Sequence, residues 1–578
     1  MMPNQPNGME PNDQRNFIIA IILMVVLIFA YQVFYLEPAA KAANEAREQA
    51  LAEQRAVAEV ETETVETPER NVPEATSVNE ALIRTARIPF NVQRVDGSLS
   101  LSGHLLDDLN LKDHYRTIAK IEELRLLRPK VVKDGETSGY SADWTWQVMN
   151  GEGRYFDIVQ AGDTWQTTSE RLAENGSLTL TYQRGGLAIE RVVSVDENYM
   201  FTFADTLTNN TARTLTASPK GQVWRYGGWK AFLEITEPKS SRRMGIVHQG
   251  IIGSFDNALT WRNYQNLFKN KGIKKAEGNG FRSADEGGWL GLTDMYWMTA
   301  LIPEQGRSFR AQVVRNDAAD RLEMVVDGED VILAPGESAT ITNQIFAGAK
   351  EYEVVNAYAA DGVTRFGDSI DWGNILYYLT KGLFFVLDWL KGIIGSFGWA
   401  ILALTLLVRV PLIPLYNQSY KSMAKMKKLA EPMKEITERF KADPQRRQQE
   451  VMKLYQREKA NPLAGCIPIL FTIPVFFALY KTLYVTIEMR HEQFMWLPDL
   501  SAPDTLIIGN LFGLVPWASA QQIHDMGIFS FVLGIGVLAI LYAVSMAGIQ
   551  ALSPPPPDPT QRRIMMALPF VFMFVFAG

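Results

Sequence analysis

The chain of 578 residues holds a single cysteine, Cys466, and only five histidines. One thiol excludes an intrachain disulfide framework and any cysteine-rich metal site. His104, His114, His248, His491 and His524 stand at no metal-ligand spacing such as HExxH, and neither a G-x-S-x-G string nor a P-loop occurs. These histidines are expected to be packing or surface residues. No catalytic group, metal or cofactor is called for, and the chain is not expected to be an enzyme. A basic field is missing as well. The formal net charge of −7 excludes a general nucleic-acid binder, which needs one to meet phosphate. The length exceeds what one core can serve, so two or more domains are expected.

Long uncharged runs are what the chain does have. The first, Phe17 to Leu36, is long enough to cross a hydrocarbon core as a helix. It exceeds the apolar core of a signal peptide, although Ala40-Lys41-Ala42 resembles a cleavage site. Residues 1–36 are therefore expected to be a short end and a membrane anchor. Residues 37–83 follow with few large apolar side chains; between 37 and 80 stand eleven glutamates against four Lys/Arg. That composition predicts an acidic, solvated linker.

From 84 to 350 the period changes to two. SLTLTY at 177–182, LAIERVVSV at 187–195 and YMFTFADTLT at 199–208 alternate apolar and polar residues, with Gly185-Gly186 and Asp196-Glu197-Asn198 as turns. A large all-β sandwich is predicted there. Trp224, Tyr226 and Trp229 could form a sugar-binding face, but core packing is the expected use. Residues 376–395 are apolar yet carry Lys381, Asp388 and Lys391, which suits a helix lying in the membrane interface within a connecting segment, 351–398.

Later runs read as spans: Trp399–Tyr416, Leu463–Tyr484, Ile528–Ile549, and a fifth beginning at Ile564. A shorter run, Thr505–Trp517, is expected to pack at the outer rim. Between the second and third spans, Asn417–Pro462 holds twelve Lys/Arg against six Asp/Glu, whereas Val485–Gly527 has Arg490 alone against five acids. By the positive-inside rule the first loop is cytoplasmic, which puts the β domain outside and the N-terminus inside.

Arg409 lies within ILALTLLVRVPLIP, about 10 Å into the membrane from the cytoplasmic side at ~1.5 Å per residue. A charge at mid-span costs about 2.5–3.5 kcal/mol, and no acid in any span offsets it. Either the side chain snorkels or it lines a water-filled groove open to the cytoplasm. In the basic loop, Met426, Leu429, Met433, Ile436 and Phe440 form a helical apolar seam, with Pro432 expected to break the helix. Asp443-Pro444 starts a second helix, giving a hairpin for a partner or for anionic lipid. Pro468 and Pro474 should break the third span twice, and Lys481 near its outer end reads as a snorkelling anchor.

The strings TLLVRVPLIP, SYKSMAKMKKL, KANPLAGCIPILFTIPVFFALYKTL and DPTQRRIMMALPFVF together resemble the YidC/Oxa/Alb family of membrane protein insertases, in the form found in Gram-negative bacteria. The resemblance implies an α-helical polytopic membrane bundle plus a large periplasmic all-β super-sandwich similar to sugar-epimerase folds. It implies an inner-membrane insertase and chaperone that receives nascent membrane proteins in a hydrophilic groove. Arg409 matches the groove arginine, Thr405 a groove-lining threonine, and Phe476 an aromatic position touching the incoming helix; Thr472 joins them on the proline-rich span. The hairpin, 417–462, matches the family's substrate-receiving hairpin. Implied partners are nascent membrane proteins, the Sec translocon, the lipid bilayer, and the ribosome or signal recognition machinery at the cytoplasmic face. The chain ends before the family's last span, so that span's tyrosine-rich groove wall is expected to be missing from residues 463–578. Two rivals remain: a transporter or channel, which would want an acid within a span, and a tethered carbohydrate-active protein, which leaves the spans unexplained.

Overall fold

A computed structural model describes residues 74–103, 105–160, 162–174, 176–236, 247–268, 281–373, 375–441, 443–458, 467–515, 523, 530–552 and 559–575. The predicted first span, Phe17–Leu36, His104, His524, Cys466 and the acidic linker up to residue 73 lie outside them.

Alternating sequence builds two antiparallel sheets. The eleven-stranded sheet runs in the order Arg87–Asn91, Val95–Ser100, Leu106–Tyr115, Glu123–Lys133, Glu136–Met149, Leu215–Tyr226, Arg321–Gly328, Phe309–Asn316, Phe281–Ala284, with Tyr155–Asp157 and Val331–Leu333 pairing alongside. The eight-stranded sheet runs Ala258–Asn263, Gly250–Phe255, Gly288–Thr293, Trp297–Ile302, Ser338–Ala349, Met200–Asn209, Leu187–Val195, Ser177–Arg184. Period two is visible in burial: Leu178, Leu180 and Tyr182 point inward while Thr179 and Thr181 face out. The sheets close on one another over a single apolar core. Trp144 crosses it, donating its indole N–H to the Gln344 carbonyl at 3.1 Å. Short helices α1 (Val78–Ile83), α2 (Trp229–Thr236) and α3 (Tyr264–Phe268) decorate the sandwich.

Two ionic groups sit inside this core. Arg191, fully buried, holds Asp205 by two bonds of 2.7 Å and donates to the Trp144 carbonyl. Arg225 does the same with Asp294, at 2.7 and 2.8 Å. A guanidinium taken from water costs several kcal/mol unless its donors are met; a forked carboxylate plus a carbonyl meets those of Arg191, and for Arg225 the same kind of set meets the two Nη groups while its Nε has no partner among the described residues. Tyr226 is buried, and Trp224 is covered by the Arg321 guanidinium, 3.7 Å from its ring centre. The aromatic cluster therefore packs.

Helix α4 (Tyr352–Ala360) lays Val354, Val355 and Tyr358 on the sandwich. Next comes α5 (Tyr377–Ile394), which buries Leu383, Phe384, Leu387 and Leu390 and leaves Tyr378, Phe385, Trp389 and Ile393 exposed. Helix α6 (Phe397–Arg409) runs through one 3-10 turn, Val410–Leu412, into α7 (Ile413–Lys428). Among the described residues this is the one helical run, 397–422, long and apolar enough to cross a membrane. Then come α8 (Ala430–Arg439), α9 (Pro444–Arg457), α10 (Ile467–Val485), α11 (Ser530–Leu533), α12 (Val537–Leu552) and α13 (Pro559–Val575).

Two expectations about the spans need correcting. The third run is not broken twice: α10 is continuous through Pro474, and Pro468 falls in its first turn, where its missing N–H costs no bond. The fourth run, Ile528–Ile549, is interrupted at Gly534-Ile535-Gly536, and its long helix starts only at Val537. Asp504 sets that start by accepting the Leu538 N–H at 3.0 Å, and a side chain at Gly536 would collide with it at 2.6 Å. The rim segment takes part, because Ile507 pairs with Gly536 and is fully buried.

Candidate functional site

Helices α5, α6 and α10 pack along one seam made by Leu383, Leu387, Ala400, Leu404 and Ala478. Thr482, buried in the same seam, donates to the Thr380 carbonyl of α5 at 3.0 Å. At 100° per residue Arg409 lies about 140° around α6 from Leu404, and Phe476 about 160° around α10 from Ala478. Thr405 stands one turn before Arg409, and Thr472 one turn before Phe476. All four candidate residues thus stand away from the packed seam.

Each has its own surroundings. Arg409 is exposed and has no ion-pair partner among the described residues. Its neighbourhood is polar for a backbone reason. Pro411 has no N–H to return to the Leu407 carbonyl, and Pro414 has none for Val410, whose carbonyl takes the Ile413 N–H instead and so makes the 3-10 turn. Thr405 donates to the Ile401 carbonyl at 2.9 Å, which leaves only its lone pairs to the open side. Phe476, half exposed, stacks on Tyr480 with ring centres 6.1 Å apart, and Tyr480 meets Tyr484 at 4.7 Å. Pro474 beside it cannot donate to the Leu470 carbonyl. Arg409 bonds to neither Thr472 nor Phe476.

The basic loop is helical. The chain breaks at Leu429, where Pro432 would have had to donate to the Lys428 carbonyl, so the predicted seam is divided between α7 and α8. Leu429, Met433 and Ile436 pack with Leu454 and Tyr455 of α9. The Tyr455 hydroxyl reaches the Met433 sulfur at 3.2 Å, and Asp443 caps α9 by accepting the Arg446 N–H. Phe440 ends α8 under the Arg446 guanidinium, 5.4 Å from its ring. The Met426 side chain lies outside the described set.

Several residues that hold the helices were not legible in the sequence. Lys481 is no snorkelling anchor: it is an ion-pair partner of Asp371, in the segment between sandwich and α5, with both side chains nearly buried. Burial would raise the Asp371 carboxyl, yet Lys481 and the His248 N–H, 2.7 Å away, hold it below the usual carboxylate range. Gln550 of α12 donates to the Met565 carbonyl at 2.6 Å, the acceptor that Pro569 leaves unpaired in α13. Glu492 accepts the Phe397 N–H at 2.6 Å and so caps α6 from a distant loop. Just beyond α10, burial first, together with the Glu351 and Asp388 charges, pushes the Glu488 carboxyl up to about 7. None of these pairs shares a local pattern, so only the fold brings them together.

The sandwich histidines serve packing and pairing. His114 meets Glu351 at 3.1 Å and the edge of Trp297, and His248 is half-buried, its imidazole pushed down to about 4 by desolvation. Among the described residues no cluster of potential metal ligands occurs.

Comparison with known proteins matches two stretches of the chain that meet within α5. Residues 87–386 match the family described as YidC periplasmic domain, and 389–578 the family described as 60Kd inner membrane protein. The protein named membrane protein insertase YidC from Maricaulis maris is 39% identical over 98% of this chain and 91% of its own length. Its namesake from Cereibacter sphaeroides is 37% identical over 98% and 89%. Among solved structures, an active YidC insertase with its first transmembrane domain resolved is 15% identical, covering 85% of this chain and 90% of that one at a TM-score of 0.29. A putative aldose 1-epimerase from Escherichia coli is 13% identical, covering 46% and 99% at a TM-score of 0.27. Overlaps this loose decide nothing about fold.

Proposed function

The chain belongs to the YidC family of membrane protein insertases, and we propose that it helps nascent inner-membrane proteins enter and fold in the bilayer through the open side of α6 and α10. It is an inner-membrane protein with a periplasmic β domain. The difficult step in insertion is moving the polar flank of an apolar segment through hydrocarbon, where an unpaired charge or peptide group costs several kcal/mol. Arg409, Thr405 and the Leu407 carbonyl freed by Pro411 offer that flank a wet, positively charged half-channel. Phe476 and Thr472 face the apolar part of the client as it moves to lipid. No nucleotide is required.

The single observation that carries this reading is Arg409 itself: an exposed cation on what is, among the described residues, the one long apolar helical run, with no counter-ion among those residues. A charge kept there at a cost of about 2.5–3.5 kcal/mol is best explained by use. The α7–α9 hairpin, basic and cytoplasmic on the positive-inside count, receives the client and meets the ribosome or signal recognition machinery. The Sec translocon is the partner for clients with large translocated parts. The transporter reading is disfavoured because Arg409 has no acid paired with it among the described residues and no Asp or Glu stands within the runs read as spans. Depletion of the full-length protein, followed by a proteome-wide measure of inner-membrane insertion, tests the proposal. Clients with short acidic translocated flanks should fail first, and unchanged insertion across the proteome would refute it.

A further inference from the structure

A second charged site lies in the β domain. The strand Glu123–Lys133 carries a β-bulge: Asn110 pairs with Arg125 and Leu109 with Leu127, so Leu126 is an extra residue. A bulge shifts the alternation by one and re-aims side chains. Leu126 and Leu127 are both buried, and Arg125 and Arg128, three apart, come to one face. They enter the wall of a pocket of about 760 Å³ that also has Arg116, Lys120 and Tyr115 in its lining.

The charges there do not cancel. Arg125 spends its Nε on the Asn110 side chain and lies 3.8 Å from Asp108, which leaves the rest of its fork open. Arg128 has no hydrogen bond or ion pair among the described residues, and its Nε is sealed from solvent without a partner. Burial and the neighbouring Arg225 push it down to about 9, and Arg225 is itself already matched by Asp294. Two acids share the wall. Glu122 is taken by Arg116 at 3.2 Å, and Glu123 has its carboxyl pushed up by burial and by Asp96. A buried donor left unmet is costly and asks for an acceptor.

We propose that this pocket binds a phosphate group, carried by a soluble compound or by a lipid headgroup, with Arg128 as the main donor and Arg125 beside it. Two guanidinium groups, each with Nη donors unspent among the described residues, suit a tetrahedral dianion better than a single carboxylate, which one of them would satisfy.

The full-length chain in a phosphate-free maltoside detergent is titrated with sn-glycerol 3-phosphate and, separately, with phosphatidic acid in mixed micelles, and binding is read by 31P relaxation. Saturable binding of the first assigns a soluble source and of the second alone a lipid source. Either supports the proposal if Arg128→Gln weakens it at least about tenfold, the loss of one charge-assisted bond pair, while Arg128→Lys restores most of it. Asn79→Asp, an exposed change at the rim, should weaken binding without touching the core. No saturable binding of either probe, affinity unchanged from the wild type in Arg128→Gln, or glutarate binding as tightly as the phosphate probes would overturn it.

Discussion

Lys481→Met tests how the helical part is fastened to the β domain. The Lys481–Asp371 pair keeps only 13% and 15% side-chain exposure, close to the regime in which removing one partner costs about 3–5 kcal/mol. The loss here should be smaller. Asp371 retains the backbone N–H groups of His248 at 2.7 Å and Gly373 at 3.1 Å, so the carboxylate left behind is half satisfied. About 2 kcal/mol is expected for Lys481→Met and about 1 for Asp371→Asn, whose amide oxygen still accepts a backbone N–H. The double variant should lose about 2 rather than 3, a coupling of about 1 kcal/mol. Acid should mimic Asp371→Asn: because the folded carboxyl titrates below its unfolded value, the contribution is present above about pH 4 and is lost as pH falls further. Hydrogen exchange at the His248 and Gly373 amides, alongside global melting of the full-length protein, reads both. Additivity of the two single variants to within about 0.3 kcal/mol would refute the pairing and return Lys481 to a solvated anchor.

Gln550→Leu should lower melting stability by about 1 kcal/mol, since the Met565 carbonyl freed by Pro569 loses its donor; an unchanged melting curve would count against that bond. Glu488 carries the opposite pH signature to Asp371. With its folded carboxyl raised to about 7, stability should decline as pH rises from about 4.5 to 7, and Glu488→Gln should remove that slope in a pH-resolved melting series. For topology, a thiol placed at Ser177 should be labelled from outside intact cells and one at Lys427 should not, and the reverse result would invert the orientation.

The division into a sandwich and a set of apolar helices was legible because it rests on period and composition: SLTLTY alternates and buries as it reads, and the hairpin follows from Pro432, Asp443 and Pro444 acting locally. Arg409 was legible for a different reason, since a lone arginine among apolar side chains is conspicuous in any sequence, whereas Thr405 and Phe476 were picked out only by the family resemblance. What could not be read is what depends on distant partners. Lys481 looked like an anchor because Asp371 is 110 residues away. The fourth run looked continuous because its break is fixed by Asp504 and Ile507, which come from another segment. Arg128 drew no notice because a bulge moved it, and bulges leave little trace in composition.

Everything proposed for insertion turns on whether the Arg409 charge is used. The direct measurement is the insertion rate of a client series with zero to four acidic residues in the translocated flank, into vesicles carrying the wild type, Arg409→Lys or Arg409→Ala in the full-length protein. A flank carboxylate about 4 Å from the guanidinium is worth about 1 kcal/mol at the dielectric of water in a wet half-channel, about a fivefold rate difference. The wild type and the lysine variant should therefore share one dependence on flank charge, because a point charge suffices where no forked partner is needed, and the alanine variant should lose it while remaining folded. Equal rates for the alanine variant across the whole series would show that Arg409 only snorkels, and the electrostatic half-channel would have to be abandoned.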